Sequence, residues 1–195
     1  RQEGELLAQR VLSAILIVPL ALVFVWLGGI WFLAGITIVA LIAGGEFYSL
    51  LRLAGFFPLW PFGIVLIPVF LVDRYVQSTQ ASVDVLAISI CVSLTYMLVR
   101  KRLEGGFLDW MVTWAPPLYA GLLLSYAVAL RQLPAGERLS YFALAIAWST
   151  DTGAYFAGRA LGRHGFFPRI SPRKTLEGAI GGVVCGVVVG SGLAV

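Results

Sequence analysis

The sequence predicts an all-α protein: a polytopic transmembrane helical bundle of about seven spans, forming a single membrane domain over residues 1–195. Three observations predict it. Hydrophobic residues make up 59% of the chain and charged residues 12%, against roughly 45–50% and 25% in a soluble domain. The apolar residues fall in long blocks, each about as long as a bilayer crossing requires. The basic residues gather in alternate connections between those blocks, as they do in multi-pass proteins.

The elements follow in order. Residues 1–10 are a short polar lead. Residues 11–27 are an apolar run of spanning length; the alternative is a signal peptide, but no small-residue cleavage motif follows and the next block starts almost at once. Gly28-Gly29 makes a tight turn into a second span over 30–51, with Glu46 either facing a cavity or marking its cytoplasmic end. A third, short span covers 59–72, started by Pro58 and Pro61 and open to bending at Pro68. The fourth runs over 83–99 and ends at Arg100-Lys101-Arg102. The fifth covers 110–130, with a kink expected at Pro116-Pro117. After a polar turn the sixth covers 139–158, and the seventh begins near 176. Cys91 and Cys185 both lie in apolar runs, where packing is the expected role.

Charge sets the orientation. With a cytoplasmic N-terminus, the inside segments hold Arg1, Arg10, Arg52, Arg100, Lys101, Arg102, Arg159, Arg163, Arg169, Arg173 and Lys174, eleven in all. The outside loops hold Arg74, Arg131 and Arg138, three in all. Eleven against three places the 159–174 loop in the cytoplasm of a cell-membrane protein. The net charge of +4 thus reports topology and gives no sign of a nucleic-acid partner. The lone histidine, His164, excludes a multi-histidine metal site.

The chemistry concentrates in WSTDTGAYFAGRALGRHGFFPRISPRKTLEGAIGG, residues 148–182. Trp148, Asp151, Tyr155 and Arg159 are three or four residues apart and share a helix face. Asp151 lies about 12 Å deeper than Arg159 at 1.5 Å per residue. A carboxylate at such depth faces a cavity or a partner, and an internal ion pair, with Arg159 or with another helix, is the plain alternative. Ser171-Pro172 reads as an N-cap followed by proline at the first helical position. Arg173 and Lys174 would then occupy the first turn, where the dipole disfavours cations unless an anion binds. A positive anchor at the headgroup level is the competing explanation of this loop. Gly178, Gly182, Gly186 and Gly190 recur every four residues and read as a helix-packing row.

Together these residues resemble the phosphatidate cytidylyltransferase (CDP-diacylglycerol synthase) family. The specific elements are D-T-x-A-Y-x-x-G-R and S-P-x-K-T-x-E-G, and RVLSAILIVPLALVF and EFYSLLRLAG extend the likeness through the N-terminal half. The resemblance implies an integral membrane enzyme that joins CTP to phosphatidate with Mg²⁺, giving CDP-diacylglycerol and pyrophosphate for phospholipid synthesis. On that basis Lys174 and Arg173 are expected to contact the triphosphate, with Arg159 a further substrate contact. Ser171 and Thr175 would supply hydroxyl or capping contacts, Glu177 would partner a metal-bound water, and Asp151 would face the cavity as a metal ligand. A homodimer is left open.

Two rivals remain at this stage: a CTP-dependent polyprenol or phytol kinase, and an anion transporter. The paired interrupted helices that point to many transporters are not evident. The chain starts at Arg1 and stops at Val195 within an apolar run, so it reads as a fragment cut at both ends. The family's C-terminal signature, rich in Lys, Asp, Gly and His, has no counterpart before Val195. Further metal ligands are expected beyond that point, and residues 1–195 alone are expected to insert without catalysing.

Overall fold

The structure is a computed structural model that describes residues 16–77, 79–99, 105–167 and 171–193; the side chains of 79–82, 172 and 173 fall outside the description. The described chain is helical throughout except for one small hairpin. The helices are α1 (Leu16–Leu27), α2 (Gly29–Leu53), α3 (Trp60–Val76), α4 (Thr79–Val99) and α5 (Gly106–Pro116). A π-helical segment, Pro117–Leu122, continues into α6 (Leu123–Gln132); α7 (Gly136–Leu161) and α8 (Leu176–Leu193) follow. Between the last two lie β1 (Gly165–Phe167) and β2 (Ser171–Thr175).

With α5, the π segment and α6 taken as one rod, these helices fall where the seven spans were expected. The count of spans is nevertheless corrected. Among the described residues three rods are long and apolar enough to cross by themselves: Gly29–Leu53, Gly106–Gln132 and Leu176–Leu193. Of the others, α3 has 17 residues, the polar run STDT at 149–152 lowers the hydropathy of α7, and the apolar stretches Leu16–Leu27 and Val83–Val99 are shorter among the described residues. Large apolar side chains such as Trp26, Trp31, Leu53 and Val99 are exposed, which suits a lipid-facing surface.

Contacts divide the chain into two compact units, 1–137 and 138–195. In the first, α3 is central and packs on α2, α6 and the π segment, with Ile67 and Leu71 fully buried. Gly28 (φ 60°) and Gly29 (φ 50°) form the expected turn between α1 and α2. Arg131 donates to the Val25 carbonyl at 2.8 Å, placing a cation at the C-terminal end of α1, where the helix dipole favours it.

Pro116-Pro117 does something more specific than kink a helix. Two missing N–H groups leave carbonyls one turn earlier without their helical donors, and the backbone widens into the π segment. The Thr113 carbonyl is four residues before Pro117, so no helical N–H reaches it from that position. The buried Tyr48 hydroxyl donates to it instead. Thr113 Oγ1 accepts the Leu59 N–H at 2.8 Å, and Asp109 Oδ1 accepts that of Phe57 at 2.8 Å. The connection between α2 and α3 is thereby pinned to α5.

Candidate active site

The second unit, 138–195, contains every candidate site residue. Its frame is an antiparallel pair, α7 and α8, that meets almost backbone to backbone. A Cβ added to Gly178 would stand 2.9 Å from the Ala154 carbonyl oxygen and 3.1 Å from Gly158 Cα. One added to Gly182 would stand 2.9 Å from the Thr150 carbonyl oxygen, and one on Gly186 would stand 2.5 Å from Thr150 Oγ1. The glycine row is a packing seam, as its spacing predicted, and α7 answers it with Thr150, Ala154 and Gly158.

Above the seam the chain forms an antiparallel hairpin, with Gly165 opposite Thr175, Phe167 opposite Ser171, and an irregularity in register between them. The expected helix start at Ser171 is therefore corrected. Ser171 is the first residue of β2, and Arg173 and Lys174 lie on the strand rather than in a first helical turn. The true cap is Thr175, whose Oγ1 accepts the Gly178 N–H at 3.2 Å, the bond an N-cap makes to the third helical residue. The dipole explains the choice. Starting α8 at Leu176 puts Glu177 in its first turn, whereas starting at Pro172 would put Arg173 and Lys174 there against the field.

This late start also changes the electrostatics of the helix end. Of the first three N–H groups of α8, that of Leu176 bonds the His164 carbonyl at 2.9 Å and that of Gly178 bonds Thr175. The end is largely satisfied from within, so attraction for an anion falls to the cationic side chains around it. Lys174 and Arg163 are exposed there; the Arg173 side chain and Arg169 lie outside the described residues. Thr175 is wedged beneath the end of α7, since Cβ atoms on Gly158 and Gly162 would stand 3.1 and 3.0 Å from its Oγ1.

Glu177 is held by the lone histidine. His164 Nδ1 lies 2.6 Å from Glu177 Oε1, and the His164 N–H reaches Oε2 at 3.3 Å. An ionised carboxylate only accepts, so Nδ1 carries the proton. Asp151 and Arg159 do not join this group. Asp151 is exposed and, among the described residues, makes no ion pair; Arg159 donates to the Tyr155 hydroxyl at 3.0 Å. The internal Asp151–Arg159 pair is thus not formed. With Ala154 facing Gly178, Asp151 lies about 7–8 Å deeper along the pair than the first residue of α8.

The class these features define is a helical membrane protein in which a glycine-seamed pair of helices carries a cationic hairpin at one end and a carboxylate deeper in. The profile of the cytidylyltransferase family matches residues 8–195, and the chain belongs to that family. Among relatives, it is 31% identical over 185 residues to a phosphatidate cytidylyltransferase of Staphylococcus haemolyticus, spanning 92% of this chain and 69% of that one. A phosphatidate cytidylyltransferase of Staphylococcus epidermidis is 32% identical over the same lengths. One from Bacillus subtilis is 32% identical over 136 residues, 65% of this chain and 49% of its own. No solved structure matches the chain significantly.

Proposed function

We propose that this protein transfers the cytidylyl group of CTP to phosphatidate, giving CDP-diacylglycerol and pyrophosphate at the cytoplasmic face of the membrane. The observation that carries the reading is the cationic hairpin set directly on the first turn of a membrane helix, in a chain of this family. Such a hairpin is where a soluble triphosphate and a lipid phosphate can meet. In the reaction a phosphatidate oxygen attacks the α-phosphorus of CTP, the bond from that phosphorus to the bridging oxygen breaks, and pyrophosphate leaves. The chemical difficulty is accumulated negative charge, so catalysis is mainly positioning and charge stabilisation.

Lys174 and Arg173 hold the triphosphate, Ser171 offers a hydroxyl beside them, and Arg159 contacts substrate nearer the lipid. Thr175 keeps β2 and α8 in register as the cap. A Mg²⁺ ion in such chemistry neutralises triphosphate charge. Asp151, exposed and free of ion pairs among the described residues, fits as one carboxylate ligand. No group of three or more His, Cys, Asp or Glu able to hold a metal occurs among those residues, so triphosphate oxygens and water would fill most of its shell.

The test is product analysis of the purified full-length enzyme given CTP, phosphatidate and Mg²⁺. Pyrophosphate and CDP-diacylglycerol are expected in equal amounts. Release of CDP would mark a CTP-dependent lipid kinase instead, and solute flux without nucleotide turnover would mark a transporter.

Orientation belongs to the same proposal, because CTP is cytoplasmic. A cysteine placed at exposed Ala160, in a background lacking Cys91 and Cys185, is expected to resist an impermeant thiol reagent in intact cells and react after permeabilisation. Ready labelling of intact cells would invert the topology.

A further inference from the structure

The geometry points to His164 as a further phosphate ligand of the hairpin, with Glu177 as the residue that positions it. This rests on the cytidylyltransfer reading for the identity of the phosphate, though not for its existence. The two side chains differ sharply in exposure: His164 is 77% exposed and Glu177 23%. The carboxylate is thus the inner partner and the imidazole the outer one. Glu177 grips the ring at Nδ1 while the His164 N–H and carbonyl tie the same residue to the start of α8. A ring held at Nδ1 presents Nε2 on its opposite corner, away from the carboxylate.

That arrangement is one in which an acid fixes the aim of a histidine so that its other nitrogen meets substrate. What Nε2 would meet follows from its neighbours. Arg163 directly precedes it in sequence, and Lys174 is one residue from Thr175, which pairs with Gly165. Both are exposed, and no acidic residue lies between Asp151 and Glu177. A cationic patch whose nearest carboxylate is already engaged will take an anion. An imidazolium donates from both ring nitrogens, so a phosphate oxygen accepting from Nε2–H is the ligand that completes a ring already bonded to Glu177.

Two substitutions separate substrate contact from mere support. Asparagine places its amide where Nδ1 was and can still bond Glu177, but has nothing at the Nε2 position. In the full-length enzyme His164→Asn is expected to keep the wild-type melting temperature while raising KM for CTP about tenfold, the loss of one charge-assisted contact. His164→Ala should lose both. If His164→Asn keeps wild-type KM and kcat, the ring is only a clamp and the proposal fails.

A second readout does not depend on turnover. In full-length enzyme labelled with ¹⁵N-histidine and held in nanodiscs, the His164 signal is the one missing from His164→Asn. Titration with pyrophosphate is expected to shift its Nε2 resonance. No shift at saturating pyrophosphate would overturn the proposal. A shift in an enzyme that makes no CDP-diacylglycerol would sustain the phosphate contact and overturn the function proposed above.

Discussion

Lys174→Ala in the full-length enzyme lowers turnover by about tenfold to a hundredfold, and Arg163→Ala changes it little. The expected loss is that of a hydrogen bond to a charged group, about 1.5–3 kcal/mol. The two cations differ in how they are held. Lys174 lies on a paired strand, one residue before the cap that anchors β2 to α8. Its backbone is therefore fixed from both sides while its side chain is exposed. Arg163 sits in the irregular link between α7 and β1. A cation on a strand that runs straight into the cap arrives pre-positioned for the transition state, whereas Arg163 lies outside the paired strands. Steady-state assays at saturating phosphatidate check the pair. Equal, small losses at both positions would mean that the loop only anchors the protein to headgroups.

The second large effect is on packing. Gly178→Ala is expected to destabilise the α7–α8 pair by about 1–3 kcal/mol, the usual cost of overfilling a tight contact. The added methyl would meet the Ala154 carbonyl oxygen and Gly158 Cα, and neither is a side chain that can swing away. It would also stand 3.0 Å from Thr175 Oγ1, so the cap and the hairpin above it should shift and activity should fall with stability. Gly192→Ala on the same helix is the control, because nothing lies within 4 Å of its added Cβ. Thermal unfolding in one detergent compares them: the first substitution lowers the midpoint and the second leaves it unchanged or raises it. Equal midpoints would show that the seam is not close-packed.

The helices were legible in the sequence because apolar blocks, the Gly28-Gly29 turn and the Pro116-Pro117 pair are local signals. The glycine row was legible for the same reason. The hairpin was not. A three-residue strand, GFF, and a five-residue one, SPRKT, show no alternation of apolar and polar residues; they exist because they pair. The Ser-Pro signal for a helix start was sound as a local preference, but Thr175 offers a competing cap with the acid on the favourable side. The unfavourable placement that a start at Ser171 gives Arg173 and Lys174 is itself a signal that the helix begins later. His164 was missed because its partner is thirteen residues away, a separation that only the hairpin closes. The π segment was foreshadowed by its two prolines, but its remedy, a tyrosine from α2, belongs to tertiary structure.

The seam between α7 and α8 also bears on how the site residues come to be in a membrane at all. α7 carries Asp151, and a carboxylate near the bilayer centre costs about 2.5–3.5 kcal/mol on insertion scales; α7 is not among the rods apolar enough to cross unaided. α8 is, with a mean hydropathy of 1.7 over its best window. Consecutive in sequence and matched along glycine, alanine and threonine, the two can partition as a helical hairpin, so that the aliphatic helix offsets the polar one. The free energy of entering lipid is then a property of the pair. The helix that carries the acid depends for its residence in the bilayer on a neighbour built almost entirely of glycine and aliphatic side chains.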